Sequence, residues 1–206
     1  MNLNITLLPG DGIGPEVLAQ AVKCLRAVEE TFNHNFSYIE GAVAMDQTGS
    51  PLPEETLEIC KASDAILFGT IGTLKYDDNP YAKVRPEQGL LQLRKELNLF
   101  SSIRPVKIFP TLLEKSPLKK EIILGTDFVI YRELTGGIYF GEKKLSADGT
   151  VASDLCEYSE KEISRITHLA FKAAKNRMQK LTVVDKANVL ETSRLWRRVV
   201  SKIGES

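Results

Sequence analysis

The sequence predicts an α/β protein built on a largely parallel sheet, and three observations carry that prediction. An apolar run at residues 5–8 passes through Pro9-Gly10-Asp11-Gly12-Ile13-Gly14 into a stretch with Val17, Leu18, Ala21, Val22, Leu25 and Val28 at helical spacing. A second apolar run, Ala65-Ile66-Leu67-Phe68-Gly69, follows a helix-like segment that carries Leu57 and Cys60. Further on, residues 127–133 alternate so that Phe128, Ile130 and Arg132 share one face of a strand. The chain has 206 residues, 43% of them hydrophobic, which is enough to bury one or two cores.

The first helix opens at Pro15 and Glu16, because proline fits a first turn and an acid is favoured at the positive end of the helix dipole. A second helix begins near Pro53, and Ser63-Asp64 breaks it before the strand at 65–69. Residues 72–86, with two prolines, a glycine and several polar side chains, read as a long surface loop. A helix follows from 87 to about 97. Arg104-Pro105 then requires extended backbone, since a residue before proline avoids the helical region. We place a domain crossing near Ser101, giving domains 1–100 and 101–206. Gly136-Gly137 and Ala147-Asp148-Gly149 turn the chain twice and predict a protruding hairpin arm over about 131–158. Ser159 with Glu162 is a capping-box signature, and Ile163, Ile166, Ala170 and Ala174 give the next helix its apolar stripe. Residues 181–184 are predicted as a buried strand ending at Asp185-Lys186. The last helix carries Leu195, Trp196, Val199, Val200 and Ile203.

Composition excludes several classes of function. Lys plus Arg equals Asp plus Glu, 27 each, so no global field draws nucleic acid or anionic lipid to the chain. Cys24, Cys60 and Cys156 are odd in number and far apart, which is poor material for a disulfide framework and points to a reducing compartment. Cys24 and Cys60 are expected to be small core residues. Residues 1–8 lack the basic start and long apolar stretch of a signal peptide, and no later run could span a bilayer, so a cytoplasmic protein is expected.

Several residues could carry chemistry, and each has a plainer reading. The glycine loop is G-x-G-x-G followed by proline, not G-x-G-x-x-G, so it is either a phosphate cradle or a turn that topology requires. Glu87, Leu90, Leu91 and Arg94 share one helix face and could make a mixed polar and apolar lining. The same helix could instead bury Leu90, Leu93 and Leu97 and leave its charges in water. Arg104 and Arg132 lie on extended backbone, where guanidinium forks suit carboxylates. Three arginines converging would fit a di- or tricarboxylate, whereas three separate surface salt bridges would not. Lys186, if desolvated at a strand end, could act as a base near neutrality, with Tyr139 as its acid partner. A solvated lysine and a packed tyrosine are the alternatives. His34 and His168 are the only histidines, and no His or Cys cluster has zinc-ligand spacing.

Taken together, five stretches resemble the β-decarboxylating dehydrogenase family, in its branch acting on 3-isopropylmalate. They are Leu8-Pro9-Gly10-Asp11-Gly12-Ile13-Gly14-Pro15-Glu16, Arg85-Pro86-Glu87-Gln88-Gly89-Leu90-Leu91, Ile103-Arg104-Pro105, Arg132-Glu133-Leu134-Thr135-Gly136-Gly137-Ile138-Tyr139-Phe140-Gly141 and Asp185-Lys186-Ala187-Asn188-Val189-Leu190. The resemblance implies the isopropylmalate/isocitrate dehydrogenase-like two-domain α/β fold, which is not a Rossmann fold, here incomplete. It makes 1–100 the start of the cofactor-side domain and 101–206 part of the dimerisation domain. It implies a homodimer with shared active sites, oxidising its substrate with NAD and releasing carbon dioxide.

By the same resemblance, Arg94, Arg104 and Arg132 hold the malate carboxylates, and Leu90, Leu91 and the partner's Val189 receive the isopropyl group. Lys186 of the partner subunit accepts the C2 hydroxyl proton, and Tyr139 protonates the enol. Gly72, Thr73, Leu74 and Glu87 line the cofactor. Gln88 and Leu90 stand where isocitrate-specific relatives carry a hydrogen-bonding pair, which favours an apolar side group. Leu74 precedes Lys75 where relatives usually have proline. The aspartates that bind Mg²⁺ or Mn²⁺, and the loop that grips adenosine, are expected beyond Ser206, so the 206 residues alone are expected to be inactive. The alternatives are a sister dehydrogenase acting on another 3-substituted malate or tartrate, and a shortened, non-catalytic dimerisation module.

Overall fold

A computed structural model describes residues 1–43, 49–72 and 84–205. The chain divides into two units, Met1–Leu97 and Asn98–Ser206.

The first unit holds a three-stranded parallel sheet in the order β2-β1-β3, formed by β1 (Asn2–Gly10), β2 (Asn35–Glu40) and β3 (Ala65–Thr70). Ile5 of β1 faces Tyr38 on one side and Ala65 on the other. Helices α1 (Gly14–Phe32), α2 (Glu54–Lys61) and α3 (Pro86–Glu96) complete it. The α1 helix starts with proline in its first turn and ends at Asn33, whose left-handed backbone returns its N–H to the Glu29 carbonyl. The core of the unit is Leu8, Val43, Leu52, Leu57, Cys60 and Leu93, with Phe68 and Leu97 packed against it. Cys60 is a core residue as expected, but Cys24 is exposed. Within α1 only Gly14 and Leu18 are buried, and Cys24 lies about a third of a turn away from Leu18.

The glycine loop resolves in favour of topology. Gly10 has a φ of +73°, and a Cβ there would stand 1.7 Å from the Thr70 carbonyl oxygen. At Gly14 a Cβ would stand 2.1 Å from the Pro9 carbonyl oxygen. Asp11 N–H donates to Thr70 O at 2.9 Å and Gly14 N–H to Asp11 O at 3.0 Å. These glycines let the ends of β1 and β3 close on the first turn of α1, and two of the loop's donors are already taken by the protein's own carbonyls.

The second unit contains β4 (Ser101–Lys107) and β5 (Asp127–Glu133), paired antiparallel with Arg104 opposite Ile130 and Ser102 opposite Arg132. A 3₁₀ turn, Pro110–Lys115, and the one-turn helix α4, Lys120–Ile123, connect them. After β5 a 3₁₀ turn at Gly137–Tyr139 leads to an exposed hairpin of β6 (Lys143–Leu145) and β7 (Ala152–Asp154). Its turn is tied by Ser146 and Thr150 to Asp148, and these hydrogen bonds hold the Asp148 carboxyl down at about 2. Helix α5 (Glu160–Lys175) begins at the Ser159–Glu162 capping box, in which Ser159 N–H donates to the Glu162 carboxylate at 2.7 Å. With α6 (Glu191–Gly204) it forms a core of Ile163, Val199 and Val200, surrounded by Tyr158, Phe171, Leu195 and Trp196.

One predicted element is absent. Residues 181–184 form no ladder with any described strand, and Val184 is 92% exposed. Apolar β-branched residues mark a segment suited to a sheet, but a strand exists only where a neighbour takes up its backbone hydrogen bonds.

Candidate functional site

In the first unit the candidate residues lie on α3. This helix packs through Pro86, Gly89 and Leu93, which are buried, and Leu97 joins them. Gly89 is required because a Cβ there would stand 2.1 Å from the Pro51 carbonyl oxygen. Leu90, Leu91 and Arg94 are half-buried and Glu87 is exposed, on a face roughly a quarter-turn from the core stripe. Leu90 therefore does not belong to the core stripe that the plainer reading assigned to it. Gln88 is occupied with the helix start, its side-chain oxygen accepting Arg85 N–H at 3.2 Å, so it does not contribute to that face.

Glu87 also lies beside Gly72. Its carboxylate oxygen would be 3.4 Å from a Cβ built on Gly72, whose φ is +89°. The Gly72 N–H points to the buried Asp11 carboxylate at 3.4 Å. Bare backbone next to a carboxylate is a surface on which a flat polar ring can rest. Thr73 and Leu74, and with them most of the predicted loop, lie outside the described residues.

In the second unit the β4–β5 register puts Ser102, Arg104, Ile130 and Arg132 on one face, since residues directly opposite, and those two apart, point the same way. Arg104 and Arg132 are thus diagonal neighbours, and Arg104 Nε donates to Ser102 Oγ at 3.3 Å. The Arg132 guanidinium lies 5.3 Å from the centre of the Tyr139 ring. Two guanidiniums and a phenol are therefore gathered on one exposed face.

Two residues that the sequence reading did not single out hold this group in place. Lys143 Nζ donates to the carbonyls of Ile138 and Tyr139, each at 3.0 Å, and to that of Gly141 at 3.2 Å. Arg165 on α5 grips Glu133, the residue after Arg132, with Nε to Oε2 at 3.2 Å and Nη2 to Oε1 at 2.6 Å. Thr135 N–H and its hydroxyl donate to the same carboxylate at 3.0 and 2.9 Å. The Glu133 side chain is 1% exposed and that of Arg165 24%. A mid-helix arginine resembles any solvated arginine in sequence; its one signal was the lone carboxylate, Glu133, in the motif that begins at Arg132.

Lys186 sits in a pinned turn before α6. Its carbonyl accepts the N–H groups of Val189 and Leu190, both at 3.0 Å, and its own N–H donates to Ser193 Oγ at 3.0 Å. Asp185 accepts from Arg197 through both oxygens, at 3.0 and 2.8 Å. The Lys186 and Val189 side chains are exposed, so of the two readings of Lys186 the second unit by itself shows the solvated one. The strand is not formed, and the turn presents both side chains outward.

Arg197 holds the Asp185 carboxyl below the ordinary aspartate range, with the Ala187 N–H assisting. A depressed carboxyl favours the fold above its ordinary pKa and loses that contribution as pH falls through the folded value. Arg197→Met is expected to move the Asp185 titration up toward the usual aspartate range when followed by NMR, with the Ala187 N–H bond still in place, and to loosen the Lys186 turn at mildly acidic pH. An unchanged titration would show that Arg197 is not what holds the carboxylate.

Among the described residues, no group of three or more His, Cys, Asp or Glu is placed to hold a metal ion. Nor is any described helix long and apolar enough to cross a membrane.

Comparison with known proteins bears on these surfaces. The sequence model described as isocitrate/isopropylmalate dehydrogenase matches residues 4–206. A 3-isopropylmalate dehydrogenase of Rhodopirellula baltica is 51% identical over 208 residues, covering 98% of this chain and 58% of that protein. One from Bacillus subtilis is 50% identical over 212 residues, covering 100% of this chain and 58% of that protein. Among solved structures, isocitrate dehydrogenase from Methylococcus capsulatus matches with a TM-score of 0.79 at 27% identity, covering 98% of this chain and 57% of that one. A β-decarboxylating dehydrogenase from Thermococcus kodakarensis matches with a TM-score of 0.66 at 35% identity, covering 98% and 55%. The chain thus spans little more than half the length of the relatives it matches.

Proposed function

The chain belongs to the isocitrate/isopropylmalate dehydrogenase family, and from that premise we propose that it is the N-terminal portion of a 3-isopropylmalate dehydrogenase. The complete enzyme converts 3-isopropylmalate and NAD to 2-oxo-4-methylpentanoate, carbon dioxide and NADH, in leucine biosynthesis in the cytoplasm. The observation that carries the reading is the gathering of Arg104, Arg132 and Tyr139 on one face. A dianionic malate needs paired guanidiniums, and a decarboxylation that leaves an enol needs an acid close to them.

Arg104 and Arg132, with Arg94 of α3, hold the substrate carboxylates. Leu90 and Leu91, with Val189 of the partner subunit, receive the isopropyl group; a site lined this way offers an extra carboxylate no partner. Lys186 of the partner subunit takes the C2 hydroxyl proton. Hydride acceptance from C2 is the chemistry that NAD, when bound, supplies; Gly72 and Glu87 are the described residues suited to lie against its nicotinamide. Once the C3 carboxylate has left as carbon dioxide, Tyr139 donates its phenolic proton to the enol carbon. The Mg²⁺ or Mn²⁺ that the family implies finds no ligand set among the described residues, and no step here runs through it. The outward-facing Lys186 turn and the exposed hairpin support a homodimer in which each subunit completes the other's site.

Initial rates of the complete enzyme test the arginine assignment. Arg104→Gln and Arg132→Gln are each expected to raise KM for 3-isopropylmalate about 10- to 100-fold, the cost of one charge-assisted pair of hydrogen bonds. If neither variant changes KM, this face is not where the carboxylates bind.

A further inference from the structure

On the face that carries Arg104 and Arg132, a third polar residue stands beside both. Ser102 lies directly opposite Arg132 in the β4–β5 ladder and two residues before Arg104 on its own strand. Directly opposed residues bring their Cβ atoms to about 5 Å, and residues two apart on a strand are separated by roughly 6.6 Å. Both guanidiniums are therefore rooted within one side chain's reach of the Ser102 hydroxyl. Ser102 is half-buried, whereas both arginines are exposed, so the hydroxyl lies at the base of the face and the charged groups rise around it.

One hydrogen bond settles what this hydroxyl can do. Arg104 Nε donates to Ser102 Oγ at 3.3 Å, and a guanidinium has no acceptor, so the serine is the acceptor in that bond. A serine hydroxyl also has one proton of its own to donate. The strand residues around it supply no side-chain acceptor for that proton, because Arg104 and Arg132 carry donors only and Ile130 is apolar. The same bond uses the inner N–H of Arg104 and leaves the donors on its two terminal nitrogens, the forked end that matches a carboxylate.

We propose that Ser102 is a further substrate-contacting residue, whose hydroxyl donates to a carboxylate oxygen of the malate held by Arg104 and Arg132. That oxygen is the acceptor which the face itself lacks. A carboxylate accepts about four hydrogen bonds, so a guanidinium fork leaves room on it for a neutral donor. The bond from Arg104 polarises the hydroxyl and strengthens it as a donor, as in any chain of hydrogen bonds. Ser102 stands just outside the Ile103-Arg104-Pro105 motif, and a serine there reads in sequence as an ordinary strand residue. The inference rests on the proposed function, since it needs an anion between the two arginines, and it adds a member to that carboxylate site.

Initial rates of the complete enzyme test it with two variants of one shape. Ser102→Thr keeps the hydroxyl, Ser102→Val puts a methyl group in its place, and both residues suit a strand. Ser102→Val is expected to raise KM for 3-isopropylmalate about 5- to 20-fold, the loss of one hydrogen bond to a charged group, with kcat within about threefold of the parent. Ser102→Thr should stay within about threefold of the parent in both constants, and neither variant should change KM for NAD. The same pair made in an Arg104→Met background separates contact from support: a direct contact keeps KM of the valine variant about fivefold or more above that of the threonine variant. Equal KM values for the two variants in the parent enzyme would overturn the inference. So would a difference that disappears with Arg104→Met, because the hydroxyl would then act only by holding Arg104. If Ser102→Val leaves KM unchanged while Arg132→Gln raises it, the serine contact is removed and the carboxylate face stands. If neither Arg104→Gln nor Arg132→Gln raises KM, the face and the serine contact fall together.

Discussion

Lys186→Ala in the complete enzyme is expected to lower kcat about 10²- to 10⁴-fold, the usual contribution of a positioned general base. Its KM for 3-isopropylmalate should stay within about twofold of the parent, because the carboxylates are held by other residues. The expectation follows from how the lysine is built in. Its backbone is fixed by Ser193 and by the N–H groups of Val189 and Leu190, and Asp185 beside it is clamped by Arg197. Such a turn aims a side chain without burying it. The second unit alone therefore does not desolvate Lys186; in the proposed homodimer, that would fall to the partner subunit, substrate and cofactor. Loss of kcat should accordingly come with loss of the acidic limb of the pH–rate profile, where a protonated base cannot act. Turnover near the parent value would remove Lys186 from the mechanism while leaving the arginine face intact.

Arg165→Met is expected to destabilise the second unit by about 3–5 kcal/mol, the cost of leaving one partner of a buried ion pair uncompensated. The Glu133 carboxylate keeps the two bonds from Thr135 but loses both from Arg165. Arg165 also lies over the Phe100 ring at 4.6 Å and donates to Asn98 Oδ1 at 3.2 Å, so the change loosens the start of the unit as well. Urea denaturation would show this as a lower midpoint. Replacing both partners, as Arg165→Met with Glu133→Leu, should recover much of the loss, since the penalty is that of an orphaned charge. An effect below about 1 kcal/mol for the single variant would mean that water reaches Glu133.

Much of the fold is legible in the sequence because it is set locally. The Ser159–Glu162 box, the alternation through β5 and the proline at the start of α1 each act within one turn or one strand. Residues 181–184 show the limit: their composition is that of a strand, yet a strand is defined by its neighbour, and none of the described strands lies beside them. Cys24 fails for a related reason, because an apolar run on a helix does not say which of its faces will be covered. At the candidate site, Arg132, Tyr139 and Lys186 stand in motifs distinctive enough to be found from sequence. Arg165 and Lys143 do not, since a charged side chain that grips a carboxylate 32 residues away, or three carbonyls of one turn, resembles any solvated charge until the chain is folded. Gln88, which stands where isocitrate-specific relatives are expected to carry a hydrogen-bonding residue, is committed to capping α3, and only the folded chain shows it.

The central claim is that this chain supplies the carboxylate face and apolar lining of a dehydrogenase for a malate with an apolar 3-substituent. Reduction of NAD, followed by absorbance with the complete enzyme, tests it most directly when 3-isopropylmalate and isocitrate are compared. The account predicts kcat/KM for 3-isopropylmalate at least about 10³-fold above that for isocitrate, because Leu90 and Leu91 would leave the third carboxylate unpaired. Equal values, or a preference for isocitrate, would contradict it.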